Sequence, residues 1–425
     1  MDTGTTAFVL ISAALVLLMT PALAFFYGGL VRAKSVISMM MLSFGALAVV
    51  GVIWVVVGYA IAFANAGTPT FIGIDGVIGL DVSYIGLEGL LTPQDGAALP
   101  PLAFAAFQAT FAIITVALIS GSIADRAKFG AWLVFAAVWS VLVYFPVASW
   151  VFNFTVGDGT IVDGGWIAYT LGAIDFAGGT AVHINAGAAA LALAIVLGKR
   201  IGFAKGLQKP HNVPLTLLGA GLLWFGWFGF NAGSELTADN TASLAFVNTI
   251  AAPAAGVLGW LVVERLKEGK ATSVGAASGA VAGLVAITPA CASLTPGWAI
   301  LLGALAGVIT ALAVELKFKF GFDDSLDVVG IHLVGGLIGT LFIGIFATDV
   351  GLIYSGSFDQ LGKQAIAAGV VMVFSFVMSL ILGFIIEKTM GFRVHGNQEL
   401  AGIDSVVHGE EGYALDDDSD LVLTR

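Results

Sequence analysis

Apolar runs of about twenty residues or more, each closed by a short polar break, recur along this chain of 425 residues. Eleven can be marked, at 6–31, 35–63, 101–122, 130–151, 176–198, 213–233, 241–264, 272–291, 297–316, 326–347 and 361–386. A helix rises about 1.5 Å per residue and the hydrocarbon core of a bilayer is about 30 Å thick, so runs of this length predict transmembrane helices. The basic residues test the count. Arg32 and Lys34 follow the first run, Arg126 and Lys128 the third, and Lys199, Arg200, Lys205 and Lys209 the fifth. Arg265, Lys267 and Lys270 follow the seventh, Lys317 and Lys319 the ninth, and Lys388, Arg393 and Arg425 the eleventh. Sixteen of the 17 basic residues thus fall on one side, and only Lys363 falls on the other. Because Lys and Arg accumulate on the cytoplasmic side, this alternation predicts an all-α polytopic membrane protein with the N-terminus out and the C-terminus in.

Composition agrees with that class. The chain is 58% hydrophobic and 11% charged, with a mean hydropathy of +0.99, whereas a soluble domain is about a quarter charged. A net charge of −11 gives no reason to expect a nucleic-acid partner, and much of it lies in the outer loops and in the tail acids Asp416, Asp417, Asp418 and Asp420. The opening MDTGTTAFVL carries an acid and is followed by no basic residue until Arg32. That is a poor signal-peptide start, so the first run reads as a retained helix. Cys291 stands alone and reads as a small buried core residue. The 56 glycines recur at helix-packing spacing, as at Gly275, Gly279 and Gly283, or Gly335 and Gly339. Two parts are expected: a transmembrane domain over 1–387 and a cytoplasmic tail over 388–425.

Two histidines lie inside apolar runs, His183 in DFAGGTAVHINAG and His332 in DVVGIHLVGG. An ionisable group at membrane depth is costly and by default marks a pathway or a site. The first lies in run five and the second in run ten, which is the placement expected of an inverted five-plus-five repeat followed by a final helix. Counted from Asp175, His183 is about 12 Å deep, and counted from Asp327, His332 is about 8 Å deep from the opposite end. Both reach the middle of the membrane, where two neutral rings can share a hydrogen bond and either can pass a proton. The competing reading is two separate core histidines, each satisfied by a backbone carbonyl. No carboxylate or thiol in helical register completes a ligand set for a metal.

A second cluster lies at the outer boundary. AFAAFQATF spaces Phe107 and Phe111 four residues apart on one helix face, and LLWFGWFGFNAGS repeats Trp227, Phe230 and Ser234 at helical spacing. Aromatic faces attract cations and a serine hydroxyl can accept from one, although an interfacial aromatic belt has the same composition. Asp175 stands where a helix starts, as a cation ligand or as a capping carboxylate.

These stretches, with ASGAVAGLVAITPAC, DDSLDVVGIHLVGG and the early FFYGGLVRAKS, resemble the ammonium transporter family (Amt/Mep/Rh), on its prokaryotic Amt branch, from about residue 6 to 413. The resemblance implies a homotrimer in the cytoplasmic membrane, with one narrow hydrophobic pore per subunit. Each pore would carry ammonium or ammonia, with methylammonium as an analogue, and the protein would have no enzymatic activity and no cofactor. It implies that His183 and His332 are a twin-histidine pair and that Phe111 and Phe230 form a stacked phenyl gate. Phe107, Trp227 and Ser234 would recruit the substrate, with Asp175 bracing that site, and Thr288 and Ser278 would be pore-adjacent. One departure is plain: where the family commonly closes the outer vestibule with a Trp, this chain aligns Asp163, within a longer loop that also holds Trp150 and Trp166. The tail resembles the family's regulatory segment at Gly402, Asp404, His408, Gly409, Glu410 and Tyr413, which implies packing on the inner loops and docking of a trimeric PII signalling protein. The alternatives are an ammonium sensor reporting through that tail, an Rh-type gas channel, against which Trp227 and Ser234 argue, and a membrane metalloenzyme built on the histidines.

Overall fold

The computed structural model describes residues 2–92, 98–157, 160–203 and 209–413. Lys205, Arg425 and the tail acids at 416–420 lie outside the described residues. Among the described residues, ten helices are long and apolar enough to cross a membrane. They are α1 (Thr3–Leu30), α2 (Ala33–Ala62), α3 (Pro101–Ile123), α4 (Phe129–Phe152), α5 (Gly179–Leu197), α6 (Val213–Glu235), α7 (Asn240–Glu268), α9 (Pro296–Phe320), α10 (Val329–Phe346) and α11 (Asp359–Thr389). The eighth predicted run holds α8 (Ser273–Ile287), an apolar helix of 15 residues. It stops short of the expected 291 because Pro289 has no N–H to continue the ladder, and the chain turns through 288–294 instead.

Small residues set the packing. α1 lies along α6 and α3, α7 along α8 and α9, and α11 along α5 and α10. Where α7 crosses α8, a Cβ added to Gly279 would lie 2.7 Å from the Gly256 carbonyl oxygen, and one on Gly283 2.7 Å from that of Ala252. Backbones approach this closely only without side chains between them, which is how helices gain dispersion energy where lipid removes the hydrophobic drive. Large apolar side chains such as Val52, Leu258 and Ile385 point outward, more than half exposed. That arrangement suits lipid and would be an aggregation hazard in water.

The all-α expectation is amended by two short hairpins at one end of the helices. Strands β1 (Phe71–Ile74) and β2 (Ile78–Asp81) pair antiparallel, as do β3 (Phe154–Gly157) and β4 (Thr160–Gly164). FIGIDGVIGLD carries the signal: isoleucines alternating with glycines around an Asp-Gly turn, with Gly76 taking the left-handed φ of +69°. Asp81 anchors the first hairpin from inside, accepting hydrogen bonds from the hydroxyls of Thr68, Thr70 and Ser83.

The opposite end carries the tail, with α12 (Gly396–Ala401) and a turn at Asp404–His408. There Arg126, fully buried, donates to the carbonyl oxygen of Asp323 and to the Ser325 hydroxyl. Arg200 bridges Asp323 at 2.9 Å and Asp125 at 3.2 Å. Burial pulls the Arg126 guanidinium down to about 10, within the range where it stays charged. Burial works to raise Asp323, yet the hydrogen bond and charge of Arg200, with Arg126 beside it, hold that carboxyl below its ordinary value.

Candidate functional site

Two helices begin on an aspartate. The Asp175 carboxylate accepts from the N–H groups of Gly178 at 2.8 Å, Gly179 at 2.6 Å, Thr180 at 2.8 Å and Ala181 at 3.1 Å, and from the Thr180 hydroxyl. Gly178 makes the convergence possible, because its φ of +122° is closed to other residues. α5 therefore opens with a wide π-type turn, in which the His183 N–H donates back to the Gly178 carbonyl at 3.0 Å. α10 opens the same way over Val329–Leu333, capped by Asp324, whose carboxylate accepts from the Val329 N–H at 2.7 Å. Single π turns are uncommon and recur at functional sites. The depth of His332 is thus counted from Asp324, eight residues before it, as His183 is from Asp175. Asp327, expected as the reference, pairs instead with Lys317 at 2.6 Å.

The two starts bring the histidines together. His183 is 1% exposed and His332 3%, with their Nδ1 atoms 3.3 Å apart and their planes inclined at 28°. Glycines four residues further on permit this. A Cβ on Gly187 would lie 2.5 Å from the Leu333 nitrogen, and one on Gly336 3.0 Å from the Gly179 carbonyl oxygen and 3.2 Å from the Cβ of His183. Each helix thus receives the other at its glycine. Two neutral rings joined at Nδ1 hold one donor and one acceptor there, so the remaining Nε2 atoms are one acceptor and one N–H. The Nε2 of His183 is buried with no partner.

Rings continue the column. Phe230 lies 6.1 Å from His183 and 4.3 Å from Phe111, inclined to it by 33°, and Phe107 meets Phe111 edge-on at 4.9 Å. The Phe107 ring lies against Gly233, beside Ser234, whose hydroxyl donates to the Phe230 carbonyl at 2.7 Å and keeps its lone pairs free. Phe152 of α4 stands edge-on to Phe111 at 6.3 Å, a ring that the sequence reading did not single out. Trp227 departs from expectation. Seven residues before Ser234 on one helix, it is about 10 Å deeper, stacks on His183 at 5.5 Å and donates its indole N–H to Thr288 at 2.8 Å. The cavity over the histidines holds about 10 Å³, room for about one water-sized guest. Leu23, Ile114, Val182, Leu223 and Val281 are among its walls.

Other expected residues stand apart. Asp175 spends its oxygens on the cap and sits at the helix start. Ser278 lines a separate cavity of about 240 Å³ with Lys317 and Asp327. Trp150 donates to the Val77 carbonyl and packs on Trp166 and Phe374, so those three rings cluster beside the hairpins.

The tail is stitched to three loops. Asp404 accepts from the N–H groups of Ile37 at 3.0 Å and Ser38 at 2.7 Å, at the start of α2, and burial lifts its carboxyl above the ordinary range against those two bonds. Gly402 passes over Lys34, where a Cβ would lie 2.9 Å from that side chain. His408 meets Phe129 edge-on at 5.3 Å, and Tyr413 bonds His211 at 2.7 Å. The Glu410 N–H reaches the Asp404 carbonyl at 3.5 Å, past the left-handed Gly409. Glu399, not singled out from the sequence, is buried and accepts from the Ile201 N–H and the Arg393 guanidinium.

A family model described as the Ammonium Transporter Family matches residues 7–413. An ammonium transporter of Mycobacterium bovis is 55% identical, covering 97% of this chain and 90% of that protein, and one of Bacillus subtilis is 44% identical over 97% and 99%. Among solved structures, a sensor Amt protein matches with a TM-score of 0.86 at 29% identity, over 95% of this chain and 98% of that one. Saccharomyces cerevisiae Mep2 matches with 0.82 at 33%, over 93% and 91%. A match of the family model along nearly the whole chain, with these identities, fixes the assignment: the chain belongs to the ammonium transporter family.

Proposed function

We propose that this protein takes up ammonium across the cytoplasmic membrane, through a pore that passes beside Phe111 and Phe230 and along His183 and His332. The observation that carries the reading is the buried histidine pair, joined at 3.3 Å, in a narrow cavity whose other walls are apolar. A bare ion is too costly to move through such walls. The ion is therefore drawn to Phe107, Phe111 and Ser234 by ring and hydroxyl contacts, gives up its proton to water at the outer mouth before the paired phenyl rings, and continues as ammonia. Along the pair, an Nε2 acceptor takes an N–H of ammonia and an Nε2–H meets its lone pair. In this reading Trp227 lines the conduit, Phe152 takes the covering position at the mouth, and Asp175 holds the start of α5.

The topology we propose has eleven spans, α8 included, with the hairpin end outside and the tail inside. α1–α5 and α6–α10 form inverted halves, and α11 follows. The tail over 388–425 is regulatory, the pore assembles as a homotrimer, and a PII signalling protein docks at the tail face. The test is methylammonium uptake into proteoliposomes, recorded with the current. Uptake lost in both His183→Ala and His332→Ala, normalised to folded protein, supports the pore, and uptake unaltered in both ends it. Current accompanying uptake assigns the proton to the same passage.

A second reading has two observations of its own. The tail is bonded to the start of α2 through Asp404, and a sensor Amt protein is among the structural relatives. If sensing is the role, removing residues 394–425 leaves uptake intact and abolishes the cell's response to external ammonium.

A further inference from the structure

Lys317, in the last turn of α9, is a buried charge that the pore reading leaves without a part. It is 3% exposed, although an ammonium group is costly to keep from water unless it is paired. Its Nζ donates to the Asp327 carboxylate at 2.6 Å and to the Asp324 carbonyl oxygen at 3.1 Å. It also stands 5.5 Å from the centre of the Phe318 ring. A carboxylate, a carbonyl oxygen and a ring face are the kinds of group that hold a primary ammonium ion. Lys317 is thus an alkylammonium ion inside a set of partners suited to one.

This group lies next to the histidines. Asp327 precedes His332 by five residues, and Lys317 and Asp327 both line the cavity of about 240 Å³ at the tail end of the helices. Ser278 is another wall of that cavity, whereas Val281, three residues further along α8, is a wall of the cavity over the histidines. The two spaces therefore follow one another along one face of α8. The remaining charges of the larger cavity are paired, hydrogen-bonded or exposed. Lys267 bridges Glu315, Glu264 accepts from the Trp260 indole at 3.2 Å and the Thr272 N–H at 2.8 Å, and Glu268 is exposed. Asp327 is different: its side chain is 32% exposed, while that of its counter-ion Lys317 is 4% exposed. The carboxylate is open to the cavity and its cation stands behind it.

We infer that Lys317 is a tethered occupant of an ammonium site at the tail-side end of the pore, and that by filling this site it sets how fast the transported ion is released. The role in release rests on the transport reading above. Ammonia that takes a proton from water beyond the histidines, leaving hydroxide, becomes a cation beside the open carboxylate of Asp327. An unpaired acid there would hold it. Lys317 already supplies that acid with a cation of the same chemistry, and a tethered group competes at an effective concentration of about a millimolar or more. Without the Lys317 ammonium, the same acceptors fit the passing ion and trap it.

Two measurements on the whole protein test this, with Lys317→Met removing the charge and keeping an unbranched stem. Crystals of the variant soaked in caesium chloride should show an anomalous peak at the Asp327 carboxylate, displaced by ammonium chloride and missing from the wild type. In proteoliposomes, its methylammonium uptake per folded protein should show maximal rate and KM both lowered about fivefold, because a slow release step lowers the two together. A structural defect lowers the rate alone. Lys317→Met/Asp327→Asn removes the trap with the tether and should return both values toward wild type, whereas Lys267→Met, in the same cavity, should move neither. No caesium peak in Lys317→Met, a peak at that place in the wild type, or a lowered rate with KM unchanged overturns the inference. So does a double variant no faster than Lys317→Met. If Lys317→Met does not fold, the double variant, which leaves no charge unpaired, decides: uptake near the wild-type rate supports the inference, and uptake lost from folded protein ends it. If the wild type shows no uptake while caesium follows the expected pattern, the transport reading falls and the tethered site stands.

Discussion

The starts of α5 and α10 follow one plan and are braced in different ways. In each, an aspartate caps a π-type turn, a histidine follows eight residues after it, and a glycine four residues later admits the other helix. Asp175 is half-buried and gathers five donors. Asp324 is fully buried, meets the Val329 N–H with one oxygen, and leaves Oδ1 without a partner. Burial, with the nearby charge of Asp327 added to it, pushes the Asp324 carboxyl up to about 6 against the pull of Lys317. A common backbone plan thus fixes where the histidines meet, while the local supply of donors differs: five for Asp175, and the Val329 N–H for Asp324.

The sharpest way to break the comparison is at the histidines. If they act as one pair, His183→Ala and His332→Ala each lower methylammonium uptake per folded protein by about tenfold or more, the equivalent of about 1.4 kcal/mol. A large loss in one variant and none in the other would show that the two helices are not equivalent. At the capping acids the expected effects diverge. Asp175→Asn offers one oxygen where two served five donors, and stability should fall by about 2–3 kcal/mol, read as a lower unfolding temperature. Asp324→Asn keeps the single acceptor that Val329 uses, and at pH 7 should be neutral or mildly stabilising.

The pH dependence follows from the same difference. An acid whose folded value lies above its unfolded value of about 3.9 holds its proton better when folded. The Asp324 contribution is therefore most favourable below about pH 4 and is lost as pH rises through about 6. Thermal unfolding of Asp324→Asn across pH 4–7 should be flatter than wild type by about 2 kcal/mol. The glycines differ from each other in the same test. Gly187→Ala, which drives a Cβ into the backbone of Leu333, should cost about 1–3 kcal/mol. Gly336→Ala, with neighbours at 3.0 Å or more, should cost less. The reverse order in melting temperature would mean that α5, against which a Gly336 Cβ presses, yields less readily than α10.

Much of this was legible in the chain. Run lengths gave the helices to within a few residues, and the eight-residue spacing from Asp175 to His183 was there to be read. The matching spacing from Asp324 was hidden because Asp323, Asp324 and Asp327 are alike in sequence. Only the fold assigns Asp323 to Arg200, Asp324 to Val329 and Asp327 to Lys317. Trp227 was expected at the mouth because its spacing aligned it with Ser234, and spacing names a helix face without giving depth along it. The hairpins were legible in the Asp-Gly turn, yet four-residue strands are weak signals beside thirty-residue apolar runs.

The sequence by itself determined that the chain enters the membrane, where its long runs lie, and which ionisable side chains lie inside them. Those are properties of single segments, set by transfer energies that each segment meets independently of the others. The tertiary structure alone decided that His183 and His332, 149 residues apart, share a hydrogen bond, that Phe152 stands edge-on to Phe111, and that Asp75 and Asp163 line one cavity. Those are properties of pairs. They depend on crossing geometry, and crossing geometry is settled by which glycines, such as Gly187 and Gly336, allow two backbones to close the last few ångströms.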